Sequence, residues 1–280
     1  RYAMKPTDTS RPDYFHQVVD CQWACPAHTD VPGYIRLIAQ GRFTDAYMVN
    51  RDSNVFPGIL GRVCDRPCEP ACRRSRVEEK PVAICRLKRV AADHRDEVSE
   101  LLPKAPPQFN GKRVALIGAG PASLTVANDL APLGYQCVIY EALNKAGGLM
   151  RTNIPAFRLP AEVLDEEIGY ILDMNVELRL NARGGSMSAL PEGGYDSVFV
   201  GSGAPKGKDL DIPGRDASAR IQIGINWLES VAFDHVDSIG EKVLIIGVGN
   251  TAMDCCRSSL RLGAKEVKVM ARKPRDFFKA

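Results

Sequence analysis

Val114-Ala-Leu-Ile-Gly-Ala-Gly-Pro-Ala-Ser123 and Val243-Leu-Ile-Ile-Gly-Val-Gly-Asn-Thr-Ala252 are two copies of one pattern. Each reads as a short apolar strand, a Gly-x-Gly turn and the first turn of a helix. That order leaves backbone N–H groups free at a helix N-terminus, where they hold a pyrophosphate. One copy alone is a weak signal. Two copies in a chain of 280 residues point to two dinucleotides and to hydride traffic between them.

In the first copy Gly118, Gly120 and Ser123 take the three positions of G-x-G-x-x-G, with Pro121 and Ala122 opening the helix. The first two glycines permit the tight turn and the close approach of phosphate. The third normally lets helix and strand pack closely, so Ser123 is a small departure. Glu141 ends the next strand, where a carboxylate accepts hydrogen bonds from ribose hydroxyls. In the second copy Gly247, Gly249 and Ala252 form the G-x-G-x-x-A variant. Its following strand ends in Met270-Ala-Arg272-Lys273, with two cations where an NAD site would carry an acid. This favours the 2′-phosphate of NADP. A solvated strand end is the plainer alternative. Cys255 and Cys256 are adjacent, unlike a redox C-x-x-C, and read as small buried helix residues.

Outward from these copies, residues 112–205 alternate strand and helix. Strands are predicted at Arg113–Ile117, Gln136–Tyr140, Val176–Leu180 and Ser197–Val200. Helices are predicted over Pro121–Leu133, closed by Gly134, and near Ala161–Leu172. Residues 241–280 restart the pattern with strand Lys242–Ile246, helix Asn250–Leu262 and strand Glu266–Met270. The class is α/β of the doubly wound type. Ahead of it, Val31–Gln40, Phe43–Val49 and Val82–His94 have helical apolar spacing. The Pro-rich stretch 103–111 is the expected boundary between the two regions.

Six of nine cysteines precede the first copy: Cys21, Cys25, Cys64, Cys68, Cys72 and Cys85. The pattern is Cys-x3-Cys-Pro, then Cys-x3-Cys-x3-Cys, then a single Cys on the third predicted helix. Thiols so spaced point to an iron–sulfur centre, with zinc as the alternative. Nine Lys/Arg against four Asp/Glu between Arg62 and Arg89 would suit an anionic cluster or an ordinary basic surface.

Apolar content of 45% is that of a globular protein, and a net charge of +3 gives no case for nucleic acid. No apolar run approaches the roughly 20 residues that span a bilayer. The first residues carry no secretory pattern, so a reducing cytoplasm is expected, which disfavours disulfides. The sequence starts at Arg1 rather than Met, and the chain is expected to be less than a whole gene product.

Together these residues resemble the small (beta) subunit family of NADPH-dependent glutamate synthase. That family is related to the N-terminal half of dihydropyrimidine dehydrogenase and to the large subunit of NADH-dependent ferredoxin:NADP oxidoreductase. The stretches that carry the resemblance are CPAHTDVPGYI (25–35), GRVCDRPCEPACRR (61–74), PVAICRLKRVAAD (81–93), GAGPASL (118–124), YEALNKAGGLMRTNIPAFRLP (140–160), YDSVFVGSGA (195–204) and GVGNTAMD (247–254). The resemblance implies a helical iron–sulfur domain over 1–105, an FAD domain over 106–235 and an NAD(P)H domain over 236–280, the last incomplete at Ala280. Gly118, Gly120, Pro121, Ala122, Ser123, Glu141, Gly148, Leu149 and Arg151 would line FAD. The Gly201-Ser202-Gly203 turn would approach its pyrophosphate, and Ile154 would lie near the flavin ring. Gly247, Gly249, Asn250, Thr251, Asp254, Arg272 and Lys273 would serve NADP or NAD.

Three departures limit what carries over. Relatives with two 4Fe–4S clusters have a further C-x-x-C upstream of Cys21, and none precedes it here. Cys25, Cys64, Cys68 and Cys85 are then expected to hold one complete cluster, leaving Cys21 and Cys72 as remnants of another. The flavin loop reads Arg-Thr-Asn-Ile-Pro in place of Arg-Tyr-Gly-Ile-Pro, and the second nucleotide domain stops short. The function implied is an electron-transfer subunit linking NAD(P)H, FAD and a 4Fe–4S cluster to a larger redox subunit or a ferredoxin-like iron–sulfur protein in a hetero-oligomer. A non-catalytic docking or relay subunit is the alternative. A thioredoxin-reductase-like flavoprotein is disfavoured for want of a C-x-x-C beside the second site.

Overall fold

A computed structural model describes residues 19–183, 194–272, 274 and 275. The chain divides into two compact units, residues 1–103 and 104–280. No helix among the described residues is long and apolar enough to cross a membrane.

The first unit is helical: α1 (Asp20–Ala24), α2 (Val31–Ala39), α3 (Phe43–Ser53), α4 (Pro57–Val63), a 3₁₀ turn at Arg73–Arg76 and α5 (Ile84–Asp93). Asp30 caps α2 by accepting the Gly33 N–H at 3.0 Å, and Pro32 sits in its first turn. Helix α2 stops before Gly41, whose φ of +74° ends the helical path. The core gathers Val31, Tyr34, Ala46, Cys68, Ile84 and Ala91. Three helices stand near their expected spans. Helices α1 and α4 were not anticipated, because α1 has five residues and α4 carries two glycines in seven, which erases its propensity signal.

In the second unit the strands are β1 (Arg113–Ile117), β2 (Gln136–Tyr140), β3 (Glu177–Arg179), β4 (Ser197–Val200), β5 (Lys242–Ile246) and β6 (Glu266–Met270). The first four form a parallel sheet in the order β3-β2-β1-β4, with Leu116 opposite both Ile139 and Phe199. Val114, Ala115 and Leu116 are buried as a continuous apolar run, as a strand covered on both faces requires. Strands β5 and β6 pair in parallel in a second sheet. The helices are α6 (Pro121–Leu130), α7 (Leu149–Thr152), α8 (Ala161–Leu172), α9 (Gly224–Ala232) and α10 (Asn250–Arg261). The predicted helix to Leu133 changes to a 3₁₀ turn at Ala131, because Pro132 has no N–H to continue the α ladder. The doubly wound expectation holds, with a parallel sheet whose strand order reverses around β1. Among the described residues, the face of the second sheet bearing Leu244, Ile246 and Met270 is open, each more than half exposed.

Candidate functional site

In open parallel sheets, ligands bind beyond the strand C-termini where the strand order reverses, here between β1 and β4. Three glycine segments meet there. Gly118 ends β1 with φ +91°, and a Cβ on it would stand 2.9 Å from the Gly201 carbonyl oxygen at the end of β4. Gly148 has φ +52°, and a Cβ there would stand 2.8 Å from Gly120 Cα. Any side chain at these positions would fill the cradle between the loops. Gly120 is the N-cap of α6, so the free N–H groups of that helix open toward the same place. The shape and the exposed donors fit a dinucleotide pyrophosphate.

Glu141 lies beside this cradle, buried to 7% exposure. Its Oε2 accepts the Ala119 N–H at 2.7 Å and its Oε1 the Leu143 N–H at 2.9 Å. The carboxylate therefore ties the Gly-x-Gly turn to the end of β2. Ser123 is fully buried, and a Cβ on Gly201 would stand 2.2 Å from its Oγ. The serine that departs from the glycine pattern is thus accommodated by a glycine on the neighbouring strand. Among the described residues its hydroxyl has no hydrogen-bond partner.

The second copy repeats the geometry of the first. The Gly247 N–H donates to the Met270 carbonyl at 2.8 Å, as the Gly118 N–H donates to Tyr140 at 2.7 Å. Gly249 caps α10 with no heavy atom within 4 Å of its would-be Cβ, so the turn is open to a ligand. Asn250 and Thr251 begin the helix, and Arg272 is exposed beyond β6. Lys273 lies outside the described residues. Asp254 is buried at 3% exposure, and both its oxygens are engaged: Oδ2 by Arg158 at 2.5 Å, Oδ1 by Arg257 at 2.7 Å. It joins the loop after α7 to α10. Asn153 adds a second tie, donating to the Ile225 carbonyl at 2.9 Å.

Between these elements lies a cavity of about 330 Å³, lined by Arg151, Ile154, Pro155, Leu228 and Arg261 among others. Arg151 is held by the Ala146 carbonyl at 2.6 Å and by Asp165. Leu149 opens α7 and is 42% exposed. Ser202 and Gly203 continue exposed beyond Gly201.

In the helical unit a first set of thiols, Cys25, Cys64, Cys68 and Cys85, is linked by its electrostatics, and Cys21 packs against the same core as Cys68. The Cys85 thiol donates to the Leu60 and Gly61 carbonyls at 3.4 Å, and its nearness to Cys64 holds the Cys64 thiol well below its ordinary value and drives that of Cys85 up. The Arg66 N–H also points at the Cys64 sulfur at 3.4 Å. Burial, then the nearness of Cys64 and Cys25, pushes the Cys68 thiol up to about 11. Cys25 lies 3.5 Å from the Thr29 hydroxyl. Burial raises the Cys21 thiol, with a smaller push from Cys72. Elements far apart in sequence hold the first set together. The Tyr34 hydroxyl donates to the Ile84 carbonyl at 3.0 Å, and Glu69 accepts the Cys85 N–H at 3.0 Å.

All nine cysteines are free of disulfides. Among the described residues no three of His, Cys, Asp and Glu converge closely enough for a single metal ion. A cubane takes one thiolate on each of four irons, so its ligands surround a cage instead of crowding one ion. Four disulfide-free thiols linked in series, Cys25 to Cys68 to Cys64 to Cys85, are a donor set that fits it. Sequence reasoning missed Tyr34, Glu69 and Arg158, whose roles come from contacts between distant segments. Asp254 and the cysteines were visible through their motifs.

A helical thiol domain followed by paired dinucleotide folds defines the class: a pyridine-nucleotide oxidoreductase with an iron–sulfur domain. Residues 15–100 match the family profile described as dihydropyrimidine dehydrogenase domain II, 4Fe-4S cluster, and residues 112–278 match pyridine nucleotide-disulphide oxidoreductase. The chain belongs to the pyridine nucleotide-disulphide oxidoreductase family, in the branch that carries this 4Fe–4S domain. The cofactors indicated by this pairing of domains are a 4Fe–4S cluster, FAD and NADP or NAD. The chain is 37% identical over 280 residues to the NADPH-Fe(3+) oxidoreductase subunit beta of Geobacter sulfurreducens, covering 96% of this chain and 42% of that protein. It is 31% identical to the NADPH glutamate synthase small chain of Azospirillum brasilense, covering 91% of this chain and 56% of that one. The chain thus spans about half the length of these curated relatives. In fold it is similar to Mycobacterium tuberculosis FprA in complex with NADPH, with a TM-score of 0.50 at 21% identity over 58% of this chain and 43% of that one.

Proposed function

We propose that this chain is the electron-transfer part of an oxidoreductase complex, linking NADPH to a partner redox subunit in the reducing cytoplasm. The observation that carries the reading is the convergence of Gly118, Gly148 and Gly201 on one cradle, in the same chain as four disulfide-free thiols, two of them buried and two half-buried. When bound, FAD converts the two-electron chemistry of nicotinamide into the one-electron chemistry of an iron–sulfur cluster.

The chain's own residues supply binding and placement. Gly118, Gly120, Pro121, Ala122 and Ser123 present the opening of α6 to the FAD pyrophosphate, and Glu141 accepts from its ribose. Gly148 and the Gly201–Gly203 turn close the cradle. Leu149, Arg151 and Ile154 shape the flavin side of the unit. Gly247, Gly249, Asn250 and Thr251 receive the second dinucleotide, with Arg272 and Lys273 toward a 2′-phosphate. Asp254 positions α10 against the loop that carries Arg158. The FAD portion is taken as 106–235 and the NADPH portion as starting at 236. Cys25, Cys64, Cys68 and Cys85 hold the cluster, and Cys21 and Cys72 belong to a second, incomplete site. The partner is a larger redox subunit or a ferredoxin-like protein in a hetero-oligomer.

Anaerobic purification followed by iron and flavin quantification tests this. Titration with NADPH and NADH under absorbance and EPR should bleach the flavin and reveal a reduced-cluster signal, with NADPH preferred. Absence of an iron–sulfur signal after dithionite overturns the cluster assignment, and absence of flavin overturns the cradle. Full cofactor content with no response to either nucleotide would favour a relay subunit.

A further inference from the structure

Lys88 lies on α5 one turn beyond Cys85, and so on the same side of that helix. It is buried to 7% exposure, and lysine is almost never so buried unless it is paired. Among the described residues it makes no ion pair with a carboxylate. The Cys85 thiol one turn away reaches the Leu60 and Gly61 carbonyls of α4 at 3.4 Å, and Cys64 closes that helix, so the Lys88 charge lies within electrostatic reach of the thiols of this region. Close helix packing accounts for the burial of Lys88. Helix α5 lies against α4 so closely that a Cβ on Gly61 would stand 2.7 Å from the Arg89 nitrogen, and the same contact brings Cys64, at the end of α4, to Cys85. The neighbouring cations are otherwise engaged: Arg62 and Arg89 both bind Asp93.

We propose that Lys88 is the internal counter-charge of the cluster held by Cys25, Cys64, Cys68 and Cys85, and that it sets that cluster's reduction potential. The inference rests on the ligand set proposed above. Reduction adds one electron to an already anionic thiolate-ligated cage and breaks no bond. A buried ammonium in low dielectric stabilises the more negative, reduced state over the oxidised one. Lys88 is in this sense a positioning residue for charge: it neither ligates iron nor exchanges a proton in the step.

The test is a dye-mediated anaerobic redox titration of the full protein, read by EPR, with iron counted in every sample. Lys88→Met and Lys88→Gln remove the charge with side chains of different shape. Both are expected to keep the cluster and to lower its reduction equilibrium constant about tenfold, which is about 59 mV for a one-electron couple. Unchanged potentials in both variants overturn the proposal. So does a shift in only one of them, which would mean shape rather than charge, and so does loss of iron from both. Cys85→Ala checks the underlying ligand set separately. It is expected to lose the signal, and an intact cluster in that variant overturns the set whatever the Lys88 variants show.

Discussion

Ser123 shows how one residue outside a motif is absorbed by another far away. Its hydroxyl occupies the space that a side chain on Gly201 would need, at 2.2 Å from the would-be Cβ. Ser123→Ala removes a buried hydroxyl that has no partner, so stability should hold or rise by about 1 kcal/mol in urea denaturation. Gly201→Ala should cost about 2 kcal/mol by overpacking. Most of that loss should return in the Ser123→Gly, Gly201→Ala double variant, because the two sites share one volume. Full additivity of the two changes would show that the contact does not matter.

At the scale of elements, two packings align the chemistry. The contact between α4 and α5 depends on the missing side chain of Gly61, which faces the Arg89 backbone at 2.7–2.8 Å. Gly61→Ala meets main chain that cannot rotate away, so the helices must part. We expect a loss of about 2 kcal/mol and reduced iron retention, measured as iron per chain after gel filtration. The second packing is the Arg158–Asp254 pair, which joins the loop after α7 to α10. Asp254→Asn leaves Arg158 and Arg257 facing an uncharged group in a mostly buried setting. Arg158 keeps 23% of its side chain exposed, which moderates the cost to roughly 2 kcal/mol. A double-mutant cycle with Arg158→Met should recover a coupling of that size; a coupling near zero would mean the pair adds nothing.

Over the whole molecule, acid is expected to weaken the helical unit through two carboxylates. The Arg73 hydrogen bond holds Asp20 below its ordinary value against the effect of burial. Burial works to raise Asp93 too, but Arg62 and Arg89 outweigh it and lower it. Both folded values lie under the ordinary 3.8, so the unfolded chain binds more protons in the interval between them. Their stabilisation is therefore complete above the unfolded value and is lost as pH falls through the folded one. Circular dichroism melts taken as pH falls from about 5 through and below 3.8 should show falling stability, and Asp93→Asn should flatten the slope. A slope unaltered by that substitution would place the acid sensitivity elsewhere.

Local patterns carried much of this protein. The doubled strand–glycine–helix passage placed β1, β2, β5 and β6 on their observed spans, because a buried parallel strand and a phosphate turn are written within about ten residues of one another. Glycine at 118 and 148 was legible for the same reason, since steric crowding at a turn admits no other side chain. The thiols were countable, but their arrangement was not local: Cys25 and Cys85 are 60 residues apart, and their segments meet where α2, α3 and α5 share one core. Helix α4 escaped notice because glycine erases helix propensity while permitting close packing. Tertiary structure alone decided that Asp254 faces two arginines, that Gly201 makes room for Ser123, and that Lys88 is buried one turn from Cys85. Each of these is a question of which segments share a volume, and a chain's covalent order does not specify that until its apolar surfaces have been buried together.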